Sequence, residues 1–328
     1  MMSVVFSPLC RASLALLCML ALSGCVTTGP VTPEDYGREN ILVRTQQVPD
    51  EARWRRATQL RGLGEIKPLV PTFDGKGLLM ASWTPSTVRD APTFVIAHGG
   101  GGIGGMLLVM GEDLAQSLHA NVLILDSIWS RGRKTNGGDS IAQSGRTLSS
   151  NARMFDLAAA GRWLANQGVN PQKTYAIGES QGGWAVLRAF TDDPGIVNLI
   201  KPYYAGGVAL YPVCEEPGTP HTDASSFVFH RLGPYHSPLL IITGGRDTLT
   251  PISYCSPKTL HSAARWLHWE DVTHAFNIDT HGLFNAHVDG TCKTMVNGFG
   301  THQFCYDKKR TVEMMDEIRS FTVLKRSP

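Results

Sequence analysis

Thr174-Tyr175-Ala176-Ile177-Gly178-Glu179-Ser180-Gln181-Gly182-Gly183 is the stretch on which the fold turns. Its first four residues have strand character, and Gly183 to Phe190 reads as a helix. Between them a serine is flanked by glycines two residues to either side, the pattern G-x-S-x-G. That pattern carries meaning only where a strand ends and a helix opens. There a serine sits in a strained turn, and side chains at the glycine positions would strike neighbouring elements. Working outward, Asp74-Gly75 between two apolar stretches predicts a hairpin whose second strand ends near Trp83. Phe94 to Ala97, Val122 to Leu125, Val208 to Leu210, Leu239 to Ile242 and Trp266 to Val272 read as further strands. Helices are predicted near Met106 to Leu118, around Met154 to Ala165 with Asn151 as cap, and near Val312 to Phe321, burying Met315, Ile318 and Phe321. Strand and helix alternate from residue 94 onward. This is the signature of an α/β fold with a mainly parallel central sheet and helices on both faces. Such sheets gather ligands at the carboxyl ends of their strands.

The polar residues at those ends form a set. A serine hydroxyl is a weak nucleophile until a base takes its proton, and a histidine oriented by a carboxylate supplies that base. Leu239 to Asp247 reads as a strand closed by Gly244-Gly245, which puts Asp247 at the carboxyl edge. Its bland alternative is a cap for the segment near Pro251. His274 follows the last predicted strand, beside the small Ala275. His281 is its most serious rival among the 11 histidines. Acyl chemistry also needs donors aimed at a developing oxyanion. The backbone N–H of Gln181, at the start of the helix, is one candidate. The second is the N–H of Gly100, with Gly99 and Gly101 as alternatives, in the run His98-Gly99-Gly100-Gly101-Gly102 after an early strand. That run resembles the HGGG-type loop of lipases and esterases. His98 and Arg131 are candidate substrate-binding residues. Arg131 and Arg133 have an equally simple reading as a solvated loop.

Taken together these pieces resemble the dienelactone hydrolase branch of the α/β-hydrolases. The matching pieces are His98-Gly99-Gly100, Asp126-Ser127 with Ser130-Arg131-Gly132, Gly178-Glu179-Ser180-Gln181-Gly182-Gly183, Tyr211-Pro212-Val213-Cys214, Gly245-Arg246-Asp247 and His274-Ala275-Phe276. They cover roughly residues 90 to 280. The resemblance implies an α/β-hydrolase fold and a serine hydrolase with Ser180, Asp247 and His274 in the order serine, acid, histidine. Founding members of that branch use cysteine where this chain has Ser180, so the implied activity is that of an esterase or peptidase of broad type. A small-molecule ester is the implied partner, with no cofactor and no metal. Asn277 to Tyr306 has no counterpart in the pattern and is expected as a stapled flap over the site edge.

The amino terminus reads differently. Arg11 is the only charge among the first 25 residues, and an apolar run from Ala12 to Leu22 is too short to span a bilayer but fits a secretory signal. Leu22-Ser23-Gly24-Cys25 resembles the lipobox of bacterial lipoproteins, in which lipid is attached to the cysteine. This gives residues 1–24 as signal peptide, 25–60 as a tether with Pro30, Pro33 and Pro49, and 61–328 as the hydrolase domain. Val26 after the cysteine favours the outer membrane, so the expected location is the cell envelope, anchored through lipid on Cys25. Four of the seven cysteines then remain, Cys214, Cys255, Cys292 and Cys305. In an oxidising compartment an even set predicts two disulfides. Three pairings are open, and Cys214–Cys255 with Cys292–Cys305 is favoured.

Composition narrows the function classes. Hydrophobic residues make up 42% and charged residues 18%, which excludes a disordered chain, and a net charge of +2 with no basic stripe gives no footprint for nucleic acid. Two rival readings remain. Gly100, Gly102 and Gly105 also satisfy G-x-G-x-x-G after a strand, with Asp126 closing the next one, the spacing of an NAD-binding fingerprint. A hydrolase fold kept only as a binding lipoprotein is the other.

Overall fold

The computed structural model describes residues 67–103, 105–128, 130, 150–214, 233–255, 264–277, 292–297 and 300–323. The signal peptide, Cys25, the tether, Arg131, Arg133 and His281 lie outside the described residues.

The run Thr93-Phe94-Val95-Ile96-Ala97 forms strand β3 (Thr93–Ala97), and all five residues are buried. A strand points successive side chains to opposite faces, so a continuous apolar run requires cover on both. Phe94 and Ile96 enter one apolar cluster, Val95 and Ala97 the other. In chain order the remaining elements are β1 (Lys67–Pro71), β2 (Leu78–Thr84), α1 (Gly105–Ser117), β4 (Asn121–Leu125), α2 (Ser150–Asn166), β5 (Thr174–Glu179), α3 (Gln181–Ala189), α4 (Pro194–Ile200), β6 (Gly206–Leu210), β7 (Leu239–Gly244), β8 (Ala264–Trp269), β9 (Cys292–Asn297), β10 (Gly300–Cys305) and α5 (Lys308–Val323).

Eight strands join in the order β1-β2-β4-β3-β5-β6-β7-β8. β1 and β2 form the hairpin predicted around Asp74-Gly75, and β2 runs antiparallel to β4. Every later pairing in the sheet is parallel. Helices α2, α3 and α4 bury Met154, Leu157, Val186, Leu187, Ile196 and Ile200 on one face. Helices α1 and α5 bury Leu108, Leu114, Met314, Ile318 and Phe321 on the other. The expected architecture is therefore the one observed. The strand order also brings β3, β5, β6 and β7 side by side, so the segments after them share one edge.

Local expectations are corrected in three places. Asn151 lies within the first turn of α2 and caps nothing: its side-chain oxygen accepts from Arg188 Nε at 2.9 Å. The last strand of the sheet stops at Trp269 rather than Val272, because the chain turns there to cross the end of β7. Along α5 the buried residue of the middle turn is Met314, and Met315 is only partly covered. The cysteines pair as favoured, Cys214 with Cys255 and Cys292 with Cys305. No helix among the described residues is long and apolar enough to cross a membrane.

The seam between α2 and the segment after α4 depends on the absence of one side chain. A Cβ at Gly161 would lie 2.6 Å from Tyr203 Cβ and 2.7 Å from the Tyr204 ring, whose hydroxyl donates to the Leu157 carbonyl at 2.7 Å. Alanine ordinarily stabilises a helix by about 1 kcal/mol relative to glycine. Gly161→Ala is expected to do the reverse, destabilising by about 1–3 kcal/mol through overpacking. Urea unfolding checks this, and a raised midpoint would contradict it.

Candidate active site

Ser180 occupies the turn between β5 and α3 with φ 52° and ψ −113°, a conformation that L-residues rarely hold. Its neighbours hold it there. A Cβ on Gly178 would lie 2.1 Å from the Gly182 carbonyl oxygen, and one on Gly182 would lie 2.1 Å from that of Ala97. Only glycine at both positions lets the elbow close against the end of β3. The Ser180 N–H donates to the Leu210 carbonyl at 2.9 Å, and the Ser180 carbonyl accepts from Trp184 N at 3.0 Å and Val213 N at 3.2 Å. The hydroxyl is thereby carried on a fixed backbone that remains partly open to solvent.

Asp247 and His274 meet as the sequence predicts. His274 Nδ1 lies 2.7 Å from Asp247 Oδ2, and both side chains are buried. Leu249 N and Thr250 N donate to Asp247 Oδ1 at 2.9 and 2.8 Å, so the carboxylate also caps the turn it stands on. The Thr250 hydroxyl donates to Oδ2 at 2.8 Å. Burial pushes the Asp247 carboxyl up, but the charge and hydrogen bond of His274, with the Thr250 contacts, outweigh this and hold it below its ordinary value. An ionised acceptor at Nδ1 fixes the proton on that nitrogen and leaves Nε2 as the basic one.

The approach of the two loops follows from Gly244 and Gly245. A Cβ on Gly244 would lie 2.4 Å from the Val272 carbonyl oxygen, and one on Gly245 would lie 2.7 Å from Glu270 Cα. Gly245 N and Arg246 N donate to the carbonyls of Trp269 and Val272 at 2.9 and 3.0 Å. The chain leaving β8 thus lies directly on the end of β7, which delivers His274 to Asp247.

The hydrogen bonds of the imidazole run through Nδ1. Among the described residues none closes from Nε2 to the Ser180 hydroxyl. Two links nevertheless tie the serine turn to the histidine loop. Tyr211, between the Leu210 and Val213 contacts of Ser180, packs edge-on against the imidazole at 4.7 Å. Glu179, next to Ser180, accepts from Asn277 Nδ2 at 3.1 Å.

On the other side of the elbow runs the glycine loop after β3. A Cβ on Gly99 would lie 3.4 Å from Ser180 Cβ, and one on Gly100 would lie 3.2 Å from the Gln181 side-chain amide. His98 explains how the loop is aimed. It was expected at the substrate, yet it is fully buried, with both ring nitrogens engaged by main chain. Nε2 accepts from Ser127 N at 3.0 Å, which places the ring proton on Nδ1, 2.6 Å from the Gly99 carbonyl oxygen. In a planar trans peptide the carbonyl and N–H point in opposite directions. Holding the Gly99 carbonyl therefore turns the Gly100 N–H away from His98. The His98 ring thus holds the Gly99 peptide and is not exposed at the site surface.

Asp126, the acid of the dinucleotide fingerprint, is also fully buried. Its carboxylate accepts from the Ser130 hydroxyl at 2.8 Å and from Ile128 N at 3.3 Å, so it is not placed to meet a ribose hydroxyl.

Three residues near the site were not singled out by sequence reasoning for any role. Glu179 is one of the two variable residues of the serine motif. Tyr211 was noted only for its resemblance, and Asn277 was placed in the flap. The Tyr211 hydroxyl donates to Asn277 Oδ1 at 2.8 Å, and both side chains face the Glu179 carboxyl. Burial raises that carboxyl above its ordinary value, only partly opposed by Asn277, Tyr211 and the charge of His274. Burial, followed by the charge of Glu179, pushes the Tyr211 hydroxyl well up. No pattern in the chain signals such a cluster, because its members lie on three separate segments.

The predicted flap is in part a disulfide-closed hairpin, β9–β10, that buttresses both loops. Phe304 packs edge-on against His274 at 5.7 Å, Cys305 N donates to Thr273 Oγ1 at 2.8 Å, and His302 Nδ1 lies 3.1 Å from Thr248 Oγ1.

No family model matches the sequence, and no curated protein is significantly similar to it. Solved structures do share the fold. A protein of Klebsiella pneumoniae assigned as a dienelactone hydrolase superposes with a TM-score of 0.54 at 15% identity, covering 79% of this chain and 99% of that one. A dienelactone hydrolase-like promiscuous phosphotriesterase from metagenomic libraries gives 0.50 at 15% identity, over 79% and 98%. An esterase of Thermogutta terrifontis gives 0.50 at 18% identity, over 81% and 94%. The chain therefore has the α/β-hydrolase fold.

Glu179→Gln tests the buried carboxyl and keeps an acceptor for Asn277. A carboxyl raised in the folded chain favours folding below its unfolded pKa, and that contribution is lost as pH rises through the folded value. The melting temperature of the variant minus that of wild type is therefore expected to increase between about pH 4 and about pH 8. A flat or decreasing difference would contradict the burial argument.

Proposed function

We propose that this protein is a serine hydrolase that cleaves a carboxylic ester through an acyl-enzyme on Ser180. The observation that carries this is the Asp247–His274 pair, whose hydrogen bond leaves Nε2 basic at the sheet edge that also holds the serine elbow. The esterase and dienelactone hydrolase assignments among its fold neighbours agree with the reading.

As Ser180 Oγ attacks the ester carbonyl carbon, His274 Nε2 accepts the hydroxyl proton, and Asp247 stabilises the imidazolium. The carbonyl oxygen becomes an oxyanion, received by the N–H groups of Gln181 and Gly100. His274 then returns the proton to the departing alkoxide, which leaves as alcohol. Water, deprotonated by the same nitrogen, attacks the acyl group and releases the carboxylic acid, and Ser180 regains its proton.

Upstream of this domain, Cys25 carries lipid and holds the protein at the cell envelope, on the periplasmic face of the outer membrane. The stretch before Cys25 supports this, as do two disulfides of the kind that persist in oxidising compartments. Cys25→Ser is expected to move the protein from the membrane to the soluble fraction. Unchanged membrane recovery would contradict the anchor.

A fluorophosphonate probe is expected to label wild type on Ser180 and to leave Ser180→Ala unlabelled. His274→Ala should lower kcat for p-nitrophenyl esters by up to about 10⁶. Asp247→Asn should lower it by about 10⁴, because it presents the wrong tautomer. A folded wild type that takes no label would favour the binding-lipoprotein reading instead.

A further inference from the structure

Helix α2 places an arginine behind the serine elbow. Arg153 is only 1% exposed, although burying a guanidinium costs several kcal/mol unless it is well hydrogen-bonded. Its partners are specific. Nη1 donates to the His98 carbonyl at 2.8 Å and lies 3.4 Å from His98 Nδ1, and Nη2 donates to Gln181 Oε1 at 3.2 Å. The first acceptor is on the peptide that leads into the glycine loop. The second is the side chain of the residue that opens α3.

These are the two segments whose N–H groups receive the oxyanion in the mechanism proposed above, and the inference rests on that reading. The two segments come from different strands, β3 and β5. Within the loop, His98 holds the Gly99 carbonyl and so aims the Gly100 N–H, but it says nothing about where that N–H stands relative to Gln181. The guanidinium does. It is planar and rigid, and its two terminal nitrogens lie at a fixed spacing. One nitrogen grips each segment. The Gln181 amide held by Nη2 is also the group that a Cβ on Gly100 would crowd, at 3.2 Å.

We propose that Arg153 is a positioning residue that sets the separation of the two oxyanion donors by bridging the His98 carbonyl and the Gln181 side chain. It touches no substrate atom. Its effect falls on the transition state, where the oxygen moves into the space between the donors, and not on substrate binding. A displacement of either donor by about 1 Å is enough to cost about 100-fold in rate.

The test uses the intact chain with Arg153→Gln and Arg153→Lys. Functional sites are counted by fluorophosphonate titration, and kcat and KM for a p-nitrophenyl ester are expressed per titrated site. Inhibition by an alkyl trifluoromethyl ketone, which forms an oxyanionic adduct with serine, is measured alongside. Arg153→Gln is expected to lose about 10- to 100-fold in kcat, to keep KM within about threefold, and to lose inhibitor affinity in parallel with kcat. Arg153→Lys should not rescue it, because one ammonium cannot hold two acceptors in a fixed fork. The pH profile of kcat should not move. Wild-type kcat and inhibitor affinity per titrated site, with only a lower melting temperature, would make the residue merely structural and overturn the proposal. If both Arg153 variants fail to fold, Gln181→Ala decides. It removes the acceptor but keeps the N–H, and a kcat per site equal to wild type would likewise overturn the bridge. An unlabelled wild type would instead remove the nucleophile assignment on which the bridge depends.

Discussion

A strand, a tight turn and a helix meet at Ser180 because two backbones touch there. The Cβ that Gly182 lacks would fall on the carbonyl of Ala97, and the one that Gly178 lacks would fall on Gly182 itself. This contact sets Ser180 at a positive φ and brings the start of α3 against the end of β3. It also brings the His98 loop beside Gln181. The Ser180 turn and the start of α3 thus meet the end of β3 through one close approach. The strain at Ser180 is held by main-chain bonds to Leu210 at the end of β6 and to Val213 in the loop after it.

The same device recurs two strands away. Gly244 and Gly245 let the segment after β8 lie on the end of β7, and this brings an acid and a base 27 residues apart into hydrogen bond. Around that pair the molecule adds cover rather than chemistry. Tyr211 and Phe304 flank the imidazole, Thr250 shares the carboxylate, and the Cys292–Cys305 hairpin braces both loops. Beneath the serine a buried carboxyl, a phenol and an amide join the elbow to the histidine loop.

The parts legible in the sequence were those with a local signature. A buried parallel strand shows as an apolar run, and glycines two residues either side of a serine mark the elbow. For the same reason Asp247 and His274 were read from their places at strand ends. The burial of His98 was not legible, because a histidine before glycines looks the same whether it faces ligand or main chain. Only its burial separates the two. Asn151 failed as a cap because α2 begins one residue earlier, where its amide serves Arg188. Glu179, Asn277 and Arg153 could not be read at all, since their partners lie 98 residues away for the first two and 28 and 55 away for the third. No period or spacing encodes such contacts.

The most direct test of the account is to mix the protein with p-nitrophenyl acetate, quench in acid within the first turnover, and map the peptides by mass. One acetyl group per molecule is expected, carried on the hydroxyl of Ser180 and appearing with the first equivalent of nitrophenolate. Acetyl groups spread over lysines and tyrosines while Ser180 stays free would contradict it.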